Sequence, residues 1–282
     1  MRIGVTGWDG RLGRALCKLK ECKPLDCDIT DPLSVKDAVR KVKPNVIINC
    51  ASLTQVDEAE NNYDKFLEVN AWAVRNVLDT DIKTIQISTD YVFDGNNGPY
   101  SEPDPFFDEV AEGVLEPVNA YGWSKAMAEI LINSQVYDNL YIVRTTGIYT
   151  DDWEQWDFLK AVVSYLNQGL PFMASMELMG NQTYAGHLAE ALVVCAERSD
   201  IPRVLHIASR EVISRYAFAV RIADKFGFDN SMVYPVNNAE VSGWVAKRPT
   251  KAGLKVDLAE SLKIPIYTIN EGLAECRKTY PK

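Results

Sequence analysis

The sequence predicts an α/β protein: a doubly wound parallel sheet over residues 1–149, followed by a smaller lobe over residues 150–282. Three observations predict it. A β-branched segment at residues 2–6 runs directly into three glycines, Gly7, Gly10 and Gly13, and then into helix-forming sequence. Apolar strand segments and helical segments alternate as far as Tyr149, the order that builds a parallel sheet covered on both faces. From Thr150 onward that alternation loosens, helical segments dominate, and one strand at residues 204–208 is expected to rejoin the main sheet.

The elements follow in order. The first strand, 2–6, ends at Gly7, where the chain must turn sharply. Gly10 keeps a Cβ away from an approaching pyrophosphate, and Gly13 allows close packing of the next helix on the sheet. The spacing is G-x-x-G-x-x-G, with Asp9, Arg11 and Leu12 in the same turn. The helix that starts there, 11–19, points free N–H groups and its positive dipole end at a phosphate. Residues 23–28 form an abbreviated second strand. Asp26 near its end is either a ribose-binding acid or a turn residue, and Arg11 either meets a 2′-phosphate or is a solvated helix-start residue. Thr30, Asp31 and Pro32 open a helix over 32–42.

A third strand, 45–51, ends in Asn49, Cys50, Ala51 and Ser52, whose small side chains allow a dinucleotide to come close. Cys50 reads either as a redox thiol or as a buried, inert one. Thr54, Val56, Asp57, Glu58 and Glu60 follow in a loop that also reads as an acidic helix start. Asn70, on the helix expected over 62–78, either braces neighbouring backbone or is a surface residue. The fourth strand, 84–88, runs into Ser88, Thr89, Asp90 and Tyr91, and in an open parallel sheet ligands gather at such carboxyl ends. On the helix expected over 121–136, Tyr121 and Lys125 stand at i and i+4, on one face. A phenol with a pKa of about 10 exchanges protons poorly near neutrality, and an adjacent buried cation is expected to lower it, making the pair a general acid or base. A fifth strand, 141–145, leads to Gly147. Helices are expected over 158–167, 185–198, 215–226 and 270–278.

Taken together, Gly7/Gly10/Gly13, residues 28–31, 49–52 and 54–60, the run from Ser88 to Phe93, the run from Asn119 to Lys125, and Arg144-Thr145-Thr146 resemble the extended short-chain dehydrogenase/reductases. Within them, the chain resembles the dTDP-4-dehydrorhamnose reductase family. The resemblance covers most of the chain. It implies a Rossmann-type domain, a C-terminal substrate lobe, and NADP(H) as cofactor with NAD(H) as the alternative. The implied catalytic residues are Thr89, Tyr121 and Lys125. The implied cofactor residues are Gly7, Asp9, Gly10, Arg11, Leu12, Gly13, Asp28, Ile29, Cys50, Ala51, Ser52, Asn70 and Ser88, together with Tyr121 and Lys125. Asp28 and Ile29 would flank the adenine, although Asp28 also reads as the start of the helix-capping stretch. Thr54, Val56, Thr89, Asp90, Tyr91, Gly147 and Arg248 would border a nucleotide-sugar substrate, with Arg248 near its diphosphate. The reaction implied is reduction of a 4-keto deoxysugar nucleotide. The same superfamily also leaves open an epimerase or dehydratase, or a non-catalytic, cofactor-binding regulatory subunit.

Several positions depart from the family pattern. Gly147 stands where such reductases carry tryptophan, Gln182 where they carry proline, and Ala252 where serine is common. Trp153, Trp156 and Trp244 are candidate substitute aromatic surfaces and equally candidate packing residues. The loop 100–119 is acidic, with Asp104, Asp108, Glu109, Glu112 and Glu116.

Composition narrows the classes. The 282 residues suffice for a sizeable core, and a net charge of −9 argues against a nucleic-acid surface. Six cysteines without C-x-x-C pairing and two histidines, His187 and His206, argue against zinc and point to a reducing compartment. No apolar run reaches the roughly 18 residues of a membrane span, and no leader precedes the first strand, so a soluble cytoplasmic protein is expected. A homodimer is left open.

Overall fold

The computed structural model describes residues 1–102, 115–133, 137–241 and 243–281. Most of the acidic positions in the loop 100–119, Asp104, Asp108, Glu109 and Glu112, lie outside them.

The N-terminal half alternates as β1 (Ile3–Thr6), α1 (Arg11–Cys17), β2 (Cys22–Pro24), α2 (Pro32–Val42), β3 (Val46–Asn49), α3 (Val56–Ala59), α4 (Tyr63–Leu67), α5 (Val74–Leu78), β4 (Lys83–Thr89), α6 (Ala120–Asn133) and β5 (Leu140–Thr145). The second half contributes α7 (Phe158–Asn167), β6 (Phe172–Ser175), β7 (Met179–Asn181), α8 (Ala185–Glu197), β8 (Val204–His206), β9 (Val212–Ser214), α9 (Arg215–Phe226), β10 (Val233–Val236), α10 (Asp257–Ser261) and α11 (Ile269–Lys278).

The central sheet has six parallel strands in the order β2-β1-β3-β4-β5-β8. Between β1 and β3 the winding changes direction, and a ligand crevice opens at the carboxyl ends of strands at such a switch point. Both faces of the sheet are covered. On one face, Ile3, Val5, Ile85, Val143 and Leu205 pack against α1 and α8 in the largest core cluster. On the other, Ile47 joins Leu25, Ile29, Val35 and Val77, contributed by the β2 end, α2 and α5.

The helix expected over 62–78 is interrupted. Glu68–Trp72 forms a π-turn between α4 and α5, and Asn70 sits inside it with its side chain turned inward. Such bulges re-aim a residue at the cost of regular hydrogen bonding. The second strand shrinks to three residues, Cys22–Pro24, at the edge of the sheet, where a proline is tolerated.

Two small sheets, β10-β6 parallel and β7-β9 antiparallel, organise the second half. Their core is aromatic, with Tyr149, Phe218 and Phe226 packed against Leu159, Val162 and Leu273.

One face of the central sheet carries two in-register polar rows. Thr6, Asn49 and Gln86 are neighbours on β1, β3 and β4. Thr6 Oγ1 donates to Asn49 Oδ1, and Asn49 Nδ2 donates to Gln86 Oε1 at 2.5 Å. Two residues further along, Ser88, Arg144 and His206 align across β4, β5 and β8. All six are buried.

Candidate active site

The crevice at the switch point is a cleft of about 500 Å³ running from the glycine turn to the start of α9. Its floor at one end is built by Gly7 and Gly13. Gly7 has φ +56°, and a Cβ there would lie 2.7 Å from the Ala51 backbone, while a Cβ on Gly13 would lie 2.6 Å from Trp8 Cα. Neither position accepts another residue without moving backbone. Gly10 differs: its φ is −75°, and a Cβ would come no closer than 3.4 Å to the protein. The protein itself therefore does not demand glycine at position 10, whereas a group lying in the cleft in front of it would.

At the middle of the cleft stand Thr89, Tyr121 and Lys125. Asn119 Oδ1 accepts from Gly122 N at 2.7 Å and Glu60 Oε1 from Ala120 N at 2.9 Å, which fixes the start of α6. One turn in, Lys125 Nζ donates to Ile87 O at 2.8 Å and lies 3.4 Å from Ser52 Oγ. Burial pulls its pKa down to about 8, against the opposing fields of Glu129 and Cys50. Thr89 is both a site residue and a cap, since its Oγ1 accepts from Tyr91 N at 3.2 Å and lies 3.2 Å from Asp90 Oδ1. Its side chain also lies close enough to the Tyr121 phenol to work against the rise in that group's pKa.

The electrostatics correct one expectation. Burial, then Tyr91 and Asp90, raise the Tyr121 pKa by more than Thr89 and Arg11 lower it, so the net shift is upward and not the lowering expected from the Lys125 spacing. In this geometry Lys125 is spent on Ile87 and Ser52, so the protein alone holds Tyr121 protonated. Tyr91 meets it edge to face, with ring centroids 5.8 Å apart. Burial pushes the Tyr91 phenol up to about 12 and the Asp90 carboxyl up to about 6.

Behind Lys125 lies a buried ion pair. Arg144 Nη2 meets Glu129 Oε2 at 2.5 Å, Ser88 Oγ donates to Glu129 Oε1, and His206 Nε2 stands 3.4 Å from Arg144 Nη1. Ser88 lines the cleft, but this bond turns its hydroxyl toward the pair. Burial of Cys50 raises its thiol pKa, which removes the redox reading, and all six cysteines are free thiols.

Gly7, Gly10, Arg11, Leu12, Gly13, Cys50, Ser52, Thr54, Val56, Ser88, Asp90, Tyr91 and Gly147 line the same cleft as Thr89, Tyr121 and Lys125. Other expected residues do not. Ile29 is a core residue, and exposed Asp28 accepts from Thr30 N and Thr30 Oγ1, making the turn that leads to the Asp31 cap of α2. Asp26 accepts from the Trp8 indole at 3.3 Å outside the cleft. Ala51 packs against Gly7, and Asp9 uses its carbonyl to hold Arg14 Nε and Gln155 Nε2. Asn70 is a brace: it accepts from Leu53 N, returns a bond to Leu53 O, and bonds Ser52 and Ser124.

Arg248 is the clearest displacement. Its guanidinium meets Asp57 Oδ2 at 2.5 Å, stacks over Trp244 at 5.0 Å, and does not line the cleft. Asp57 Oδ1 in turn accepts from Val245 N and Ala246 N, so the pair ties the 54–60 loop to residues 244–248. Trp153 packs with Phe226 and Tyr280, whereas Trp156 is 65 % exposed at the cleft, its carbonyl held by Arg11 Nη1 at 3.3 Å. Sequence reasoning missed Phe158 and Arg215, which close the far end. The signal for Arg215 was a cation directly after the N-cap Ser214, where the helix dipole disfavours it.

Fold and cleft thus define a Rossmann-type protein with a Tyr/Lys pair at the carboxyl ends of its strands. The chain belongs to the family described as the RmlD substrate binding domain, whose model matches residues 1–281. It is 34% identical over 254 residues to a dTDP-4-dehydrorhamnose reductase of Mycobacterium tuberculosis, covering 85% of this chain and 80% of that protein. A crystal structure of dTDP-4-dehydrorhamnose reductase from Bacillus anthracis in complex with NADP superposes with a TM-score of 0.87 at 26% identity, covering 99% of both chains. The chain is also 27% identical to methionine adenosyltransferase 2 subunit beta of Pongo abelii, over 93% of this chain and 83% of that protein.

Proposed function

We propose that the protein reduces the 4-keto group of a nucleotide-linked deoxysugar with NADPH, in the cytoplasm. The observation that carries this reading is the convergence of Thr89, Tyr121 and Lys125 in the cleft that begins at Gly10, the one glycine of the turn whose missing side chain only a ligand would need. The amides at the start of α1 would hold the pyrophosphate, Arg11 would meet the adenosine end, and Lys125 would hold the nicotinamide ribose. When bound, the reduced nicotinamide supplies a hydride to the carbonyl carbon. Tyr121 transfers its phenolic proton to the carbonyl oxygen, and Thr89 orients that oxygen by a hydrogen bond. Burial keeps Tyr121 protonated, as a proton donor must be. The ammonium of Lys125 favours the phenolate that forms as the proton leaves. Arg248 acts at one remove, by anchoring the 54–60 loop that borders the substrate.

The test is loss of reduced-nicotinamide absorbance with dTDP-4-dehydrorhamnose and other 4-keto nucleotide sugars. Turnover with at least one of them supports the reading. Binding of NADPH without turnover of any would favour a cofactor-binding regulatory subunit, the second reading, which the similarity to methionine adenosyltransferase 2 subunit beta supports.

A further inference from the structure

We propose that Arg215 holds a hydroxyl group of the substrate's sugar ring and so determines which sugar the cleft accepts; this rests on the nucleotide-sugar reading above.

Arg215 is the first residue of α9, after the N-cap Ser214, whose Oγ accepts from Ala217 N at 3.1 Å. A cation in the first helical turn opposes the dipole, and a guanidinium taken out of water needs partners for its five donors. Among the described residues Arg215 has one hydrogen-bond acceptor, Gln182 Oε1, at 2.8 Å from Nη1, and its plane lies over Phe158 at 4.8 Å. None of its other nitrogens is a sealed, unpartnered atom, so the donors left over open on the cleft that Arg215 lines. Local rules broken in this way mark functional positions.

The surroundings select the ligand group. Asp90 is 2 % exposed and lies within the field of Arg215. Its Oδ2 is 3.7 Å from where a Cβ on Gly180 would stand, with Thr146 Oγ1 at 3.8 Å and Gln182 Nε2 at 3.9 Å. Gly180 thus faces a small space bounded by polar groups. Gly147 completes it, because a Cβ there would lie 2.8 Å from Gln182 Oε1, the atom on which Arg215 leans. A donor-only guanidinium opening on a cleft that also holds polar acceptors, the Asp90 carboxyl among them, matches an alcohol, which accepts one hydrogen bond and can donate another. A methyl group would leave the guanidinium desolvated and unpaired, and a carboxylate would face Asp90.

Calorimetry tests this with NADP-saturated protein and five probes: dTDP, dTDP-glucose, and the 2-, 3- and 6-deoxy analogues of dTDP-glucose. Arg215→Met should leave dTDP binding within about twofold and weaken dTDP-glucose about 10- to 100-fold, the range for a hydrogen bond to a charged group. One deoxy analogue should bind the wild type as weakly as dTDP-glucose binds the variant, and should be indifferent to the substitution. Arg215→Lys keeps the charge, loses the fork, and should fall between the two; it carries the test alone if the Met variant does not fold. Equal weakening of dTDP and dTDP-glucose overturns the proposal, as does no weakening of either, or continued sensitivity of all three deoxy analogues. If neither dTDP nor dTDP-glucose binds the wild type, the nucleotide-sugar reading itself fails and takes this inference with it.

Discussion

Lys125 should make the protein less stable, and by an amount that depends on pH in a definite direction. The side chain is 3 % exposed, and burial lowers its pKa from 10.5 to about 8, with Glu129 and Cys50 opposing. A base whose folded pKa lies below its unfolded one binds its proton less tightly in the folded state. Below pH 8 both states hold the proton and the full cost is present; between pH 8 and 10.5 only the unfolded state holds it, and the cost fades. At about 1.4 kcal/mol per unit, the penalty is about 3 kcal/mol at pH 7 and about 2 kcal/mol at pH 9. Lys125→Met keeps the length of the side chain and removes the charge. Ile87 O, deprived of the ammonium, still accepts from Gln86 Nε2 at 3.0 Å. The variant should therefore be more stable than the wild type near neutrality, with an advantage that shrinks as pH rises, while losing turnover. Urea unfolding of both apo-proteins at pH 7 and pH 9 measures this, since titrating groups that do not feel Lys125 cancel in the difference. A variant less stable at pH 7, or an advantage independent of pH, would refute the reasoning.

Tyr121→Phe removes one hydroxyl and should lower turnover by about 10²-fold or more, with NADPH affinity, followed by fluorescence, little changed. Arg11→Ala should weaken NADPH binding more than NADH binding; equal loss for both would show that Arg11 does not meet a 2′-phosphate. Arg248→Ala should lower the melting temperature near neutrality. Partial burial raises the Asp57 pKa, but the bonds from Arg248, Ala246 and Val245 outweigh it, so the carboxyl is held below its ordinary range. A depressed acid contributes stability above its unfolded pKa and loses it as pH falls, so the two melting temperatures should converge below about pH 4.

The alternation of strands and helices was legible because strands covered on both faces read as apolar runs, and the glycine turn because its geometry admits no substitute at Gly7 or Gly13. Tyr121 and Lys125 were legible from helical spacing only in company with the glycine turn, because Tyr-x-x-x-Lys by itself is a common accident. What the sequence hid depends on long-range partners. Arg248 looks like a free cation until Asp57, far away in sequence, is seen to hold it. Asn70 reads equally as a brace or as a surface residue until the π-turn aims it at Leu53. The strands β6, β7, β9 and β10 have three or four residues each, too few for a period to show, and Pro235 in β10 speaks against a strand. The lowering of the Tyr121 pKa failed because spacing gives a shared face but not the desolvation that dominates there.

The polar rows on the central sheet have a consequence for assembly of the fold. Ser88, Arg144 and His206 lie side by side only in one alignment of β4, β5 and β8, as do Thr6, Asn49 and Gln86 in β1, β3 and β4. Parallel strands of β-branched residues otherwise offer many nearly equivalent alignments. Here a slip by one residue would drive a guanidinium and an amide into the apolar layer formed by Ile85, Val143 and Leu205, with their partners stranded on the opposite side. The rows act as a key that admits a single register. The same alignment sets the height of Thr89 against the α6 residues Tyr121 and Lys125, so correct pairing of the strands and a correctly assembled site are one event.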